Sequence, residues 1–145
     1  MRYLSLESLC DELGKHAMLP LLRQTYHFCL ASYSTLTHFI VFGSLGMGRA
    51  RAGSDLDLML LFSHEVDNAE VRSAVLKNLP VAGRVYVDVF AYSEAKFVRL
   101  YGWNNSIAHA GMAGSLIYCK SDPNASLAKF RSLQEVTPLH VRRDE

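Results

Sequence analysis

Two apolar runs and the polar gap between them dominate the hydrophobic pattern of this chain. His38-Phe39-Ile40-Val41-Phe42 leads into the gap, and Leu58-Met59-Leu60-Leu61-Phe62 leads out of it. Runs this short and this continuously apolar read as strands buried on both faces. The predicted strands cover about 37–42 and 55–62. The connection, residues 43–57, opens on Gly43-Ser44, carries further glycines at 46, 48 and 53, and closes on Asp55-Leu56-Asp57. Ser44 is expected to cap a short helix reaching Arg51.

Elsewhere the pattern alternates between helical and strand periods. Residues 5–13 predict a helix with Ser5 as its cap and Gly14 as its end. Residues 18–33 predict a longer helix, with Pro20 in its first turn. Leu19, Leu22, Tyr26, Cys29 and Leu30 form its expected inner stripe. Over residues 66–79, Val66, Val71, Val75 and Leu79 face inward while Asp67, Glu70, Arg72 and Lys77 face outward. A third strand is predicted over 84–91. Its valines at 85, 87 and 89 share one face, which leaves Asp88 on the other with Tyr86 and Phe90. Helices over 93–101 and 104–112 break near Gly102. A short strand, Leu116–Cys119, follows Gly114, and one more helix is expected over 125–135, with a frayed end from Thr137. This alternation predicts an α/β (α+β) fold with a mixed sheet of about four strands flanked by helices. The chain divides into N-terminal helices (1–35), a core (36–120) and a short tail (121–145), all within one domain.

Composition narrows the function classes. Of 145 residues, half are hydrophobic and a fifth charged, and the net charge is +1. That balance gives no reason to expect direct nucleic-acid binding or attraction to an anionic membrane. No apolar stretch approaches the roughly 18 residues of a spanning helix, and no signal-peptide pattern opens the chain, so a cytoplasmic location is expected. Cys10, Cys29 and Cys119 are scattered and form no C-x-x-C pair, which argues against a disulfide framework or a zinc knuckle. The six histidines show no ligand spacing and read as structural. The sequons at Asn104 and Asn124 have no meaning in a cytosolic chain.

The chemistry concentrates in three acids. Residues two apart on a strand share a face, so Asp55 and Asp57 are expected side by side. Like charges that close repel unless a cation sits between them. Paired oxygen ligands suit Mg²⁺, which takes its remaining ligands from water and substrate phosphates. The Gly43-Ser44 turn offers backbone N–H groups as a phosphate cradle. Asp88, a lone acid mid-strand among aromatics, has to be paired or metal-bound. Two rival motifs fail. Gly43 to Gly48 has P-loop spacing, but Arg49 and Ala50 stand where that loop needs Lys and then Ser or Thr. No G-x-G-x-x-G is present.

Gly-Ser, ten residues, then Asp-x-Asp resembles the signature of the polymerase-β-type nucleotidyltransferases. The chain is most similar to the small MNT-type members paired with HEPN proteins in toxin–antitoxin operons. The resemblance spans about residues 36–120 and includes Asp88 as the third acid and Gly114 to Tyr118 as the closing Gly-x-x-x-Tyr segment. The chain departs from the family at Gly46 and Met47, and Arg49 and Arg51 stand nearby to compensate. The resemblance implies the nucleotidyltransferase fold and two Mg²⁺ ions held by Asp55, Asp57 and Asp88. It also implies ATP as substrate, with its phosphates on Gly43 and Ser44. Only about 25 residues follow the last strand, too few for an acceptor-binding domain. A HEPN-type toxin or a second copy of the chain would then supply the missing wall. Three functions follow: AMP transfer to a HEPN-type partner, transfer to a small molecule by the protein alone, or steric masking of the partner without catalysis.

Overall fold

The computed structural model describes residues 1–144, with side chains through Val136. Its centre is a five-stranded mixed sheet. The strands are β1 (Arg2–Tyr3), β2 (Leu36–Phe42), β3 (Leu56–Phe62), β4 (Val87–Ser93) and β5 (Ser115–Cys119), in the order β1-β5-β2-β3-β4. β2 runs antiparallel to both β3 and β5, while β1 is parallel to β5 and β4 is parallel to β3. The sheet thus has one strand more than the pattern predicts. β1 is two residues long and pairs with Ser115 and Leu116, far too distant along the chain for periodicity to show it.

Among the described residues seven α-helices surround the sheet: α1 (Leu6–Leu13), α2 (Leu19–Ser32), α3 (Gly43–Gly46), α4 (Asn68–Lys77), α5 (Glu94–Gly102), α6 (Ser106–Met112) and α7 (Pro123–Asp144). Five begin on side-chain caps, α7 through Asp122, whose Oδ1 accepts the Asn124 N–H at 3.0 Å. Ser5, Asp67, Ser93 and Asn105 each accept the N–H of the residue three positions on. α1 ends at Gly14 with φ of 62°, as its sequence predicts. Between α5 and α6 the left-handed residue is Asn104 (φ 64°), not Gly102.

Alternation along the strands splits the core in two. Leu56, Leu58, Leu60, Phe62, Val87, Val89 and Ala91 face α1, α2 and α4. Ile40, Phe42, Met59 and Leu61 face the other way, against Phe97, Tyr101, Ala108, Met112 and Phe130. Gly114 lets β5 close on β2, since a Cβ there would lie 2.8 Å from the Phe42 Cβ.

Several boundaries differ from expectation, each for a local reason. The inner stripe of α2 centres on Leu21, Leu22, Thr25 and Cys29, with Tyr26 only partly buried. A buried threonine is tolerated because its hydroxyl donates to the Leu21 and Leu22 carbonyls at 2.9 and 3.0 Å. The helix after Ser44 is a single turn, and Gly48 at φ 73° follows it. The third strand starts at Val87 rather than 84, because residues Val81–Tyr86 form a 3₁₀ turn. Val85 and Tyr86 are consequently exposed. α7 extends from Pro123 to Asp144 instead of stopping near 135.

Leu58 lies at 0% exposure in the middle of β3. Leu58→Ala is expected to lower unfolding free energy by about 3–5 kcal/mol, read by urea titration, because the packed sheet cannot collapse into the void.

Candidate active site

The carbonyl end of β2 and the starts of β3 and β4 meet at one edge of the sheet. In register, Phe42 stands opposite Asp57, and Asp57 opposite Asp88. Cross-strand partners share a face. Asp57 therefore sits in a row between an aromatic ring and a second acid. Behind this row the Phe42 and Phe90 rings approach to 6.0 Å between centroids. They form an apolar floor.

That floor, with the neighbouring charges, sets the chemistry of Asp57. Burial raises its pKa, Asp88 and then Asp55 raise it further, and the result is about 6 in place of 3.8. A dication would reverse this shift by favouring the ionised form. Asp55 is one residue outside β3 and exposed, while its charge still acts on Asp57. It lines a cavity of about 120 Å³ together with Asp88, Arg72, Arg84 and Tyr86. Asp88 is about half exposed and pairs with Arg72 at 3.6 Å. The fold thus brings the three predicted acids to one edge. Among the described residues, however, no three acidic, cysteine or histidine side chains form a ready metal cage. Mg²⁺ does not need one, since it commonly takes one or two carboxylates and completes its shell with water and substrate phosphates.

Gly43 has two reasons to be glycine. Its φ is 65°, in the left-handed region. A Cβ there would also overlap Asp57 Oδ2. Backbone and carboxylate are packed against each other, leaving a bare Cα at the mouth of the site. Ser44 lies next to it, and its hydroxyl donates to Ser54 Oγ at 2.7 Å, which in turn accepts the Arg51 N–H at 2.9 Å. A phosphate on Ser44 would have to take that hydroxyl from Ser54.

The turn is also held from behind, by side chains far from it in sequence. The buried Ser115 hydroxyl donates to the Gly46 carbonyl and accepts from Arg2 Nε at 2.6 Å. The Arg2 guanidinium makes a two-pronged pair with Glu12, at 2.7 and 3.0 Å. On the other flank, His16 Nδ1 accepts the Met18 N–H at 3.1 Å, so Nε2 carries the hydrogen and donates to the Arg51 carbonyl at 2.6 Å. Neither Arg2, Arg72 nor His16 carries a sequence signal, because each reaches the site through packing of distant segments; Arg84, close to Asp88 in the chain, is placed by the 3₁₀ turn of Val81–Tyr86. The remaining histidine of interest, His38, is buried between Thr37 and Ser126, and burial holds its pKa low. It is structural. The cysteines are free, and burial pushes the Cys29 thiol up to about 12, which makes it inert.

No family model matches the chain, and no curated protein matches it. Among solved structures it is similar to a candidate nucleotidyltransferase from Sulfolobus solfataricus, at 21% identity over 63% of this chain and 79% of that one, with a TM-score of 0.47. Among the described residues no helix is long and apolar enough to cross a membrane.

Two outcomes are expected. Gly43→Ala should destabilise the protein by about 1–2 kcal/mol in urea titrations, from the left-handed backbone alone, and should push the Asp57 carboxylate out of place. The second concerns pH. Between about pH 4 and 6 the folded chain keeps a proton on Asp57 that the unfolded chain has released. Its contribution to stability is present below that window and lost as pH rises through it. Thermal melts in chelator should therefore show Asp57→Asn gaining on the unaltered protein as pH rises from 4 to 7. A constant difference would place the Asp57 pKa at its ordinary value.

Proposed function

We propose that this protein is an Mg²⁺-dependent nucleotidyltransferase that moves AMP from ATP to a hydroxyl on a partner protein, as MNT-type antitoxins neutralising HEPN-type toxins do. The observation that carries this is the pairing of Asp57 with Asp88 across parallel strands, beside a glycine packed directly on the Asp57 carboxylate.

The acids fit a dication. Burial and two neighbouring carboxylates oppose ionisation of Asp57, and bound Mg²⁺ would supply the compensating charge and polarise the phosphates. Asp57 and Asp55 would hold it on the nucleotide side, and Asp88 with Asp57 on the acceptor side. Gly43 and Ser44 lie at the end of β2 and Asp88 on β4, so they flank Asp57 from opposite sides. In-line displacement needs that separation. The acceptor oxygen attacks the α-phosphorus, the bond to pyrophosphate breaks, and pyrophosphate leaves past the Gly43-Ser44 turn. Asp88 would take the proton from the acceptor hydroxyl. β4 is an edge strand, which leaves Asp88 open to a group delivered from outside. A cytoplasmic setting, where ATP and Mg²⁺ abound, suits this reading.

The test is incubation with labelled ATP and Mg²⁺, with and without a co-expressed neighbouring protein, followed by intact mass. The partner should gain AMP. Asp57→Ala should remove transfer while the protein stays folded. Asp88→Asn should lower turnover by about 10²–10³-fold with a much smaller effect on ATP binding. An inhibited partner that carries no AMP would replace this reading with steric masking, and AMP on a small molecule alone would replace it with a stand-alone transferase.

A further inference from the structure

Beyond Asp88 the surface changes character. Arg84 is fixed by its own backbone contacts: Nε donates to the Leu79 carbonyl at 3.1 Å and a terminal nitrogen to the Lys77 carbonyl at 3.3 Å. The side chain forms a wall shared by two cavities. The smaller is the one that holds Asp55 and Asp88. The larger, about 400 Å³, is lined by Arg72, Lys77 and Arg84 together with Ser73, and none of its lining side chains is acidic. The turn that carries Arg84 also exposes three large apolar side chains. Val81 is 74% exposed, Val85 78% and Tyr86 49%. Exposed apolar side chains gathered in one patch mark interaction surfaces.

We propose that this face docks the acceptor segment of the protein partner, and that the segment is acidic, with apolar side chains flanking its hydroxyl-bearing residue. The hydroxyl's fate and the choice of the Asp88 side rest on the nucleotidyl-transfer reading; the charge match of the cavity to an acidic segment does not. Two arguments fix the occupant. In-line geometry puts the acceptor on the Asp88 side, and that side opens onto the cationic cavity. The cations also form one compact group rather than a stripe, on a chain of net charge +1. Nucleic acid needs several phosphate contacts spread along a backbone, whereas a few carboxylates on a peptide match a compact group. Arg84 is held in advance, so little freedom is lost when a carboxylate meets it. Arg72 trades a long, exposed pair with Asp88 for the incoming acid.

The test uses the full chain without nucleotide. The probe is a fluorescein-labelled peptide with glutamates and leucines around one tyrosine, followed by anisotropy. The acidic peptide should bind, and binding should weaken at high salt. Lys77→Glu and Ser73→Glu, both at exposed positions of α4, should each weaken it by about fivefold or more. Equal binding of a lysine-rich version of the peptide would overturn the proposal, as would indifference to both substitutions. Tighter binding of a short single-stranded oligonucleotide would overturn it in favour of a nucleic-acid acceptor. Peptide binding that persists where no AMP is transferred to any acceptor would remove the transfer reading and leave the docking surface standing. Transfer without peptide binding would do the opposite.

Discussion

Two carboxylates on neighbouring parallel strands repel each other, and the rest of the molecule has to hold them there. Strands lie about 4.8 Å apart, and like charges 4 Å apart near a protein surface oppose one another by about 4 kcal/mol. The compensation comes from residues that never touch the acids. β3 is buried on both faces from Leu58 to Phe62, and its register with β4 runs unbroken from Leu56 to Phe62. Slipping β4 by one residue would relieve Asp88, but it would also turn Val87, Val89 and Ala91 out of the core. The register is fixed by oil, and the repulsion is carried along with it.

The same constraint explains the softer features of the site. Asp57 has an apolar floor and a tight glycine neighbour, so it cannot turn away. Asp88, on the edge strand, can turn outward and meets Arg72. One acid is held rigidly and reluctant to ionise; the other is exposed and exchangeable. Under the proposed reading, that division would let one acid hold a cation while the other stays open to an incoming hydroxyl.

Much of this was legible in the sequence, and the reasons are specific. Strand alternation placed Asp88 on the face opposite Val87 and Val89 without any structure, because the strand's other face has to enter the core. The two apolar runs announced β2 and β3 for the same reason. The start of β4 was misread because Val85 and Tyr86 have strand-like side chains. Pro80 instead opens a 3₁₀ turn, and a Cβ on Gly83 would lie 2.9 Å from the Leu21 side chain, contacts that are invisible locally. β1, His16 and Arg72 escaped for one common cause. Each acts on residues that packing, not sequence proximity, brings near. The acids were legible as candidates; the cationic flank that distinguishes one side of the site from the other was not.

The clamp on the glycine turn has a consequence for the order in which the site can be completed. β2 and β3 form a hairpin, so Gly43 and Asp57 meet by closing a short loop. The carbonyl of Gly46 has to wait for Ser115, 69 residues later, and Ser115 for Arg2, 113 positions earlier. Closing loops of that length is slow compared with hairpin formation. During synthesis residues 43–57 and Asp88 emerge before Ser115, the residue that braces the Gly46 carbonyl. A chain released before residue 115 carries the motif and lacks the brace, so an early stop would yield a protein that looks complete by its signature residues and is not complete by its structure.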